Sequence, residues 1–72
     1  MYFQMLEKRS FSLSGHRTSI ALEAEFWAAL ERIAQSQARP VSALVTALDS
    51  SRATQQPLAS ALRVFALLHK EN

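Results

Sequence analysis

The sequence predicts a mainly α fold with a short β-ribbon and an additional C-terminal helix, completed as a homodimer by a second copy of the chain. Three observations predict it. Apolar and polar residues alternate with period two between Arg9 and Leu22, the period of a half-buried strand. From Leu22 onward, three stretches repeat their apolar residues at helical spacing. The chain is also short, at 72 residues, yet 49% hydrophobic and without Cys. A core of that size rarely supplies more than ~3–5 kcal/mol, and small domains add disulfides, metals or oligomerisation. Disulfides are excluded here, and His16 and His69 are too few soft ligands for a structural zinc. Oligomerisation is the route that is left.

Residues 1–5 (Met-Tyr-Phe-Gln-Met) read as the remnant of a cleavable tag or as disordered chain, and 6–72 as a single domain. No apolar run approaches the ~20 residues of a membrane span. No charged stretch precedes an apolar one as in a signal peptide. A cytoplasmic location without a membrane partner is therefore expected. Eight Lys and Arg against six Asp and Glu give a formal charge of +2, which permits an anionic partner without requiring one. Lys8, Arg9 and Arg17 concentrate that charge beside the serine-rich alternation.

The first alternation sets Phe11 and Leu13 against Ser10, Ser12 and Ser14. After Gly15 the second sets Thr18, Ile20 and Leu22 against Arg17, Ser19 and Ala21. The apolar positions change parity at Gly15, so one straight strand cannot turn both sets to a single core. Gly15 marks either a bulge or a turn. A type II′ turn at Gly15-His16 pairs Ser14 with Arg17, Leu13 with Thr18, Ser12 with Ser19 and Phe11 with Ile20.

The helices follow. Glu23 and Glu25 suit the positive end of a helix dipole, and Leu22, Phe26, Ala29, Leu30 and Ile33 form a stripe that Trp27 and Ala34 widen. This helix fades near Gln37. Pro40 suits the first turn of the next, where Val41, Leu44, Val45 and Leu48 recur at i, i+3, i+4 and i+7. Residues 50–57 are polar, end in Pro57 and read as a loop. The last helix runs from Leu58 to about His69, with Leu58, Ala61, Leu62, Phe65 and Leu68 on one face. The core or dimer contact is expected from Ile20, Leu22, Phe26, Trp27, Leu30, Ile33, Leu44, Val45, Leu48, Leu62 and Phe65.

A strand feeding two helices, in a chain this small, resembles the ribbon-helix-helix domain of Arc/MetJ-type repressors over residues 17–49. The strings Gly15-His16-Arg17-Thr18-Ser19, Leu22-Glu23, Phe26-Trp27 and Ser60-Ala61-Leu62-Arg63-Val64-Phe65 resemble a compact bacterial subfamily of it, over residues 8–68. The resemblance implies a homodimeric, sequence-specific regulator of transcription whose partner is double-stranded DNA. Its two-stranded antiparallel ribbon would lie in the major groove, which admits such a ribbon. Parity then turns Arg17, Ser19 and Ala21 to the bases. Arg17 suits guanine O6 and N7, and Ser19 suits several bases. Ala21 departs from the family type, where a long polar side chain is common. The amides of Val41 and Ser42 at a helix N-terminus suit a phosphate, with Arg39 and His16 as further phosphate contacts.

Plainer roles exist for each residue. Arg17 and Arg39 also fit solvated cations, the serines the wet face of a sheet, His16 a turn residue and His69 a partner of its own helix dipole. Neither a nucleophile elbow, a glycine-rich phosphate loop nor metal-ligand spacing occurs, so no catalytic residue, cofactor or metal is assigned and an enzyme is not expected. The alternative is a protein-interaction dimer, antitoxin-like or an adaptor, on the same scaffold. A true hairpin would give such a dimer four strands, crowding a major groove, and the 58–69 helix offers an apolar stripe for another protein. That helix also fits a purely structural role.

Overall fold

A computed structural model describes residues 5–52 and 55–69. The expected tag remnant lies outside the described residues except for Met5, which is exposed. Strand β1 (Leu6–Leu13) and strand β2 (His16–Glu23) are followed by helices α1 (Ala24–Ser36), α2 (Val41–Ser51) and α3 (Leu58–Leu68). This is the mainly α fold with a short antiparallel ribbon that the periodicities predict.

The parity change at Gly15 is a turn within the chain, because β1 and β2 pair antiparallel as a hairpin. Its central residues are Ser14 and Gly15, both at positive φ (53° and 80°). Positive φ at both centres is the type I′ arrangement, whose twist matches the strands it joins. The expected Gly15-His16 turn is therefore misplaced by one residue and its register by two. Leu13 lies opposite His16, Ser12 opposite Arg17, Phe11 opposite Thr18, Ser10 opposite Ser19 and Arg9 opposite Ile20. A slip of two leaves every side chain on its expected face, because faces alternate with period two. Ser14 alone leaves the serine row, for the turn.

One face of the hairpin lies on the helices. Leu13, Ile20 and Leu22 are buried there with Trp27, Leu30, Ile33, Leu44, Val45 and Leu62. Phe26, Leu48 and Phe65 pack against this cluster half-buried. Trp27 anchors the hairpin: its Nε1–H donates to the Glu7 carbonyl at 2.7 Å, and Phe11 packs 5.8 Å from its ring. Arg9 sits over the same indole at 4.8 Å and donates to Glu31 at 2.7 Å. Its pKa is raised, chiefly by that Glu31 bond. Arg9 therefore lies on the inner face with Phe11, apart from Lys8 and Arg17.

Helix α1 ends in a Schellman motif. The Ala38 amide donates to Gln35 and the Arg39 amide to Ala34, at 3.0 and 3.1 Å. Ala38 occupies the left-handed position at φ 56°, where glycine is the usual residue. Pro40 precedes the second helix as its N-cap, one place earlier than expected, and α2 runs to Ser51 rather than yielding to a loop at 50. Helix α3 buries Ala61, Leu62 and Ala66. Leu68, placed on its buried stripe by spacing, is 71% exposed. At the strand–helix junction, Glu23 is the N-cap of α1 and accepts from Arg63 of α3 through both oxygens, at 2.9 and 3.3 Å. Arg63, first, and a backbone hydrogen bond hold the Glu23 carboxyl below its ordinary range.

Two measurements follow from this geometry. Replacing Ala38 with Gly relieves a left-handed strain of ~1–2 kcal/mol against an unfolded-state cost of ~0.4–1 kcal/mol. Urea unfolding of Ala38→Gly is thus expected to show a gain of about 0.5–1 kcal/mol. The depressed Glu23 group stabilises the fold above its unfolded pKa, and that contribution is lost as pH falls through the folded value. The stability gap between wild type and Arg63→Gln should therefore be full at neutral pH and close as pH drops below 4.5, the ordinary value of the group. A gap independent of pH would exclude the pairing as its cause.

Candidate nucleic-acid interface

Among the described residues, no layer covers the second face of the hairpin. Register and pleat put Lys8, Ser10 and Ser12 of β1 beside Ala21, Ser19 and Arg17 of β2 on that face. All are exposed except Ala21, which is half-buried. Cross-strand bonds tie the rows together. The Ser10 and Ser19 hydroxyls lie 3.2 Å apart, and Arg17 Nη1 donates to Ser12 Oγ at 3.1 Å. Nothing on this face between the turn and Lys8 is acidic or larger than Ala among the apolar residues. The carboxylate at its base, Glu23, is held by Arg63. Small hydroxyls and two cations leave room for a polyanion with exposed hydrogen-bonding edges.

The free face opens onto the start of α2. A groove of about 630 Å³ is lined by Ser10, Ser12 and Arg17 on one side and by Ser42, Ala43 and Thr46 on the other. Helix α2 has no side-chain cap at its N-terminus and no acidic residue in its first turn. Its first-turn amides therefore present the positive end of the helix dipole. Thr46 donates its hydroxyl to the Ser42 carbonyl at 2.8 Å, so its side chain belongs to the helix.

The expected site residues do not all converge. Arg17, Ser19 and Ala21 share the free face, and Ser42 joins Arg17 across the groove. Arg39 and Val41 line a separate depression of about 530 Å³ at the α1–α2 corner. There Arg39 donates to the Gln37 side chain at 2.9 Å, while Val41 turns its side chain toward the core. His16 is exposed at the ribbon tip, opposite Leu13 and on the other side of the pleat from Arg17. Lys8, Ser10 and Ser12 were not among the expected contacts. The signal for them was available: opposite parities across a turn put the even residues of the first strand beside the odd residues of the second.

No helix among the described residues is long and apolar enough to cross a membrane. The family model of the ribbon-helix-helix domain matches residues 6–70. No curated protein sequence and no solved structure matches the chain.

Proposed function

The chain belongs to the ribbon-helix-helix domain family, whose members are small DNA-binding domains rather than enzymes, and on that premise we propose a homodimeric, sequence-specific regulator of transcription in a bacterial cytoplasm. It lays an antiparallel β-ribbon in the major groove of double-stranded DNA. The observation that carries this reading is the uncovered face of the hairpin, with Arg17 and Ser19 exposed on it and Arg17 sharing one groove with the N-terminus of α2.

Arg17 supplies two donors to guanine, Ser19 a hydroxyl of either polarity, and Ala21 a methyl for thymine. The Val41 and Ser42 amides hold a phosphate, and the helix dipole favours its charge. Arg39 at the α2 entrance and His16 at the ribbon tip add phosphate contacts from the flanks. Such contacts fix the register of the protein on the duplex and bring salt dependence, while base contacts bring specificity.

A second reading is favoured by the true hairpin of β1 and β2, which gives a dimer four strands, and by one observation on α3. Val64, Leu67 and Leu68 are 46%, 62% and 71% exposed, a line of apolar side chains at helical spacing. Through it the dimer would bind another protein, as an antitoxin-like or adaptor module without strong DNA binding.

Titration of a duplex selected from a random pool separates the two. Arg17→Ala should weaken binding to the selected duplex by about 5- to 100-fold, the range of one bidentate base contact, and leave the sedimenting dimer intact. Affinity should fall steeply with salt. A protein that sediments only as a monomer, or binds no duplex at low salt, removes the regulator reading. Under the second reading, Leu67→Glu abolishes capture of a co-purifying protein without changing the unfolding free energy by more than about 0.5 kcal/mol. Under the first, Leu67→Glu leaves DNA affinity within a factor of about two.

A further inference from the structure

We propose that Arg63 of α3 is a positioning residue for DNA binding, which keeps negative charge off the outward row of β2 by holding the Glu23 carboxylate. The inference rests on the DNA-binding reading and gives α3 a part in it.

Alternation puts an acid where a polyanion is to lie. The outward row of β2 runs from Arg17 through Ser19 and Ala21 to Glu23, beside Ser12, Ser10, Lys8 and Leu6 of β1. Glu23 is the one carboxylate in these two rows. At ~3.4 Å of rise per residue it stands ~7 Å along the strand from Ala21, inside a screening length of ~8–10 Å at ~0.1–0.15 M salt. A free carboxylate there repels phosphates that flank the row. Its own helix makes no use of it: Glu23 is the N-cap of α1, yet its side chain forms no capping hydrogen bond.

Arg63 takes up that charge. Its Nε and Nη2 donate to the two carboxylate oxygens at 2.9 and 3.3 Å, a paired geometry that fixes direction as well as distance. The guanidinium is seated from a second side, 5.9 Å from the centre of the Phe26 ring. Leu62, the preceding residue, is fully buried and fixes α3 on the core. Arg63 and Glu23 keep 34% and 30% of their side-chain surface accessible, so the pair sets the field at the surface. Arg63, first, holds the Glu23 carboxyl below its ordinary range. Glu23 is therefore ionised at neutral pH, and Gln in its place removes a full charge.

A second pair supplies the control. Arg52 Nε donates to Asp49 Oδ1 at 3.2 Å, and Asp49 lies ~10 Å along α2 from Ser42, away from the helix start that opens onto the ribbon. Arg52→Gln makes the same change in net charge as Arg63→Gln.

The test uses the full chain and the duplex that the wild type selects from a random pool, at a temperature where circular dichroism shows every variant folded. Arg63→Gln should weaken binding by about 3- to 10-fold at ~0.15 M salt and lessen the salt slope by up to about one, as the loss of one neutralised phosphate does. The double variant Arg63→Gln/Glu23→Gln also lacks the bridge, yet should return to within about 2-fold of the wild type, and Arg52→Gln should stay within that factor. A double variant as weak as Arg63→Gln overturns the proposal, because Arg63 then touches phosphate itself or only shapes the junction. Unchanged binding by Arg63→Gln overturns it too, as does an equal loss in Arg52→Gln, which assigns the effect to net charge. In all three cases the wild type still binds and the regulator reading stands. If the wild type selects no duplex, that reading fails and this one with it.

Discussion

The structure depends on the seat of one indole. Trp27 is 1% exposed, and it reaches from α1 to the Glu7 carbonyl at the base of β1. Phe11 lies against its ring and Arg9 over it. The contact attaches the outer strand of the hairpin to the first helix, so the hairpin has one defined inner face. A buried indole needs a partner for its N–H, and β1 is where that partner is found. Removing a side chain of this kind costs ~3–5 kcal/mol, comparable with the total stability of a small domain. The free face of the ribbon is a consequence: whatever Trp27 turns inward on one side is turned outward on the other.

The second consequence concerns the apolar surplus of a short chain. Part of it is absorbed within the chain, where α3 buries Ala61, Leu62 and Ala66 on the core of α1, α2 and β2. The Arg63–Glu23 pair fastens the same helix to the junction between β2 and α1. What is left exposed lies in two places: Met5 and Leu6 at the start of β1, and Val64, Leu67 and Leu68 on the far side of α3.

Much was legible beforehand because side-chain periodicity is a local signal. The parity of Phe11 and Leu13 against Ile20 and Leu22 identified the inner face, and that result survived a register wrong by two residues. The stripes in α1 and α2 were legible for the same reason, and the Ala38-Arg39-Pro40 break located the corner between them. The α3 stripe was misread at Leu68 because Leu, Ala and Val recur all round that helix, so spacing alone does not select a side. The site was half legible. Arg17 and Ser19 follow from alternation, whereas the separation of Arg39 and His16 from them depends on how a corner and a ribbon tip are oriented.

The sequence by itself determined the five elements, the inner and outer faces of the strands, and the family to which the chain belongs. These rest on alternation, helical spacing and short motifs, all of which act between near neighbours. Only the tertiary structure decided that β1 pairs with β2 of the same chain through Ser14-Gly15, and that Lys8 faces Ala21. It also decided that Arg9 turns inward to Trp27 and Glu31, and that α2 opens its N-terminus onto the ribbon. Register slips of two keep every side chain on its face, so patterning is blind to them. The choice is made by contacts between residues distant in sequence, above all Trp27 with Glu7.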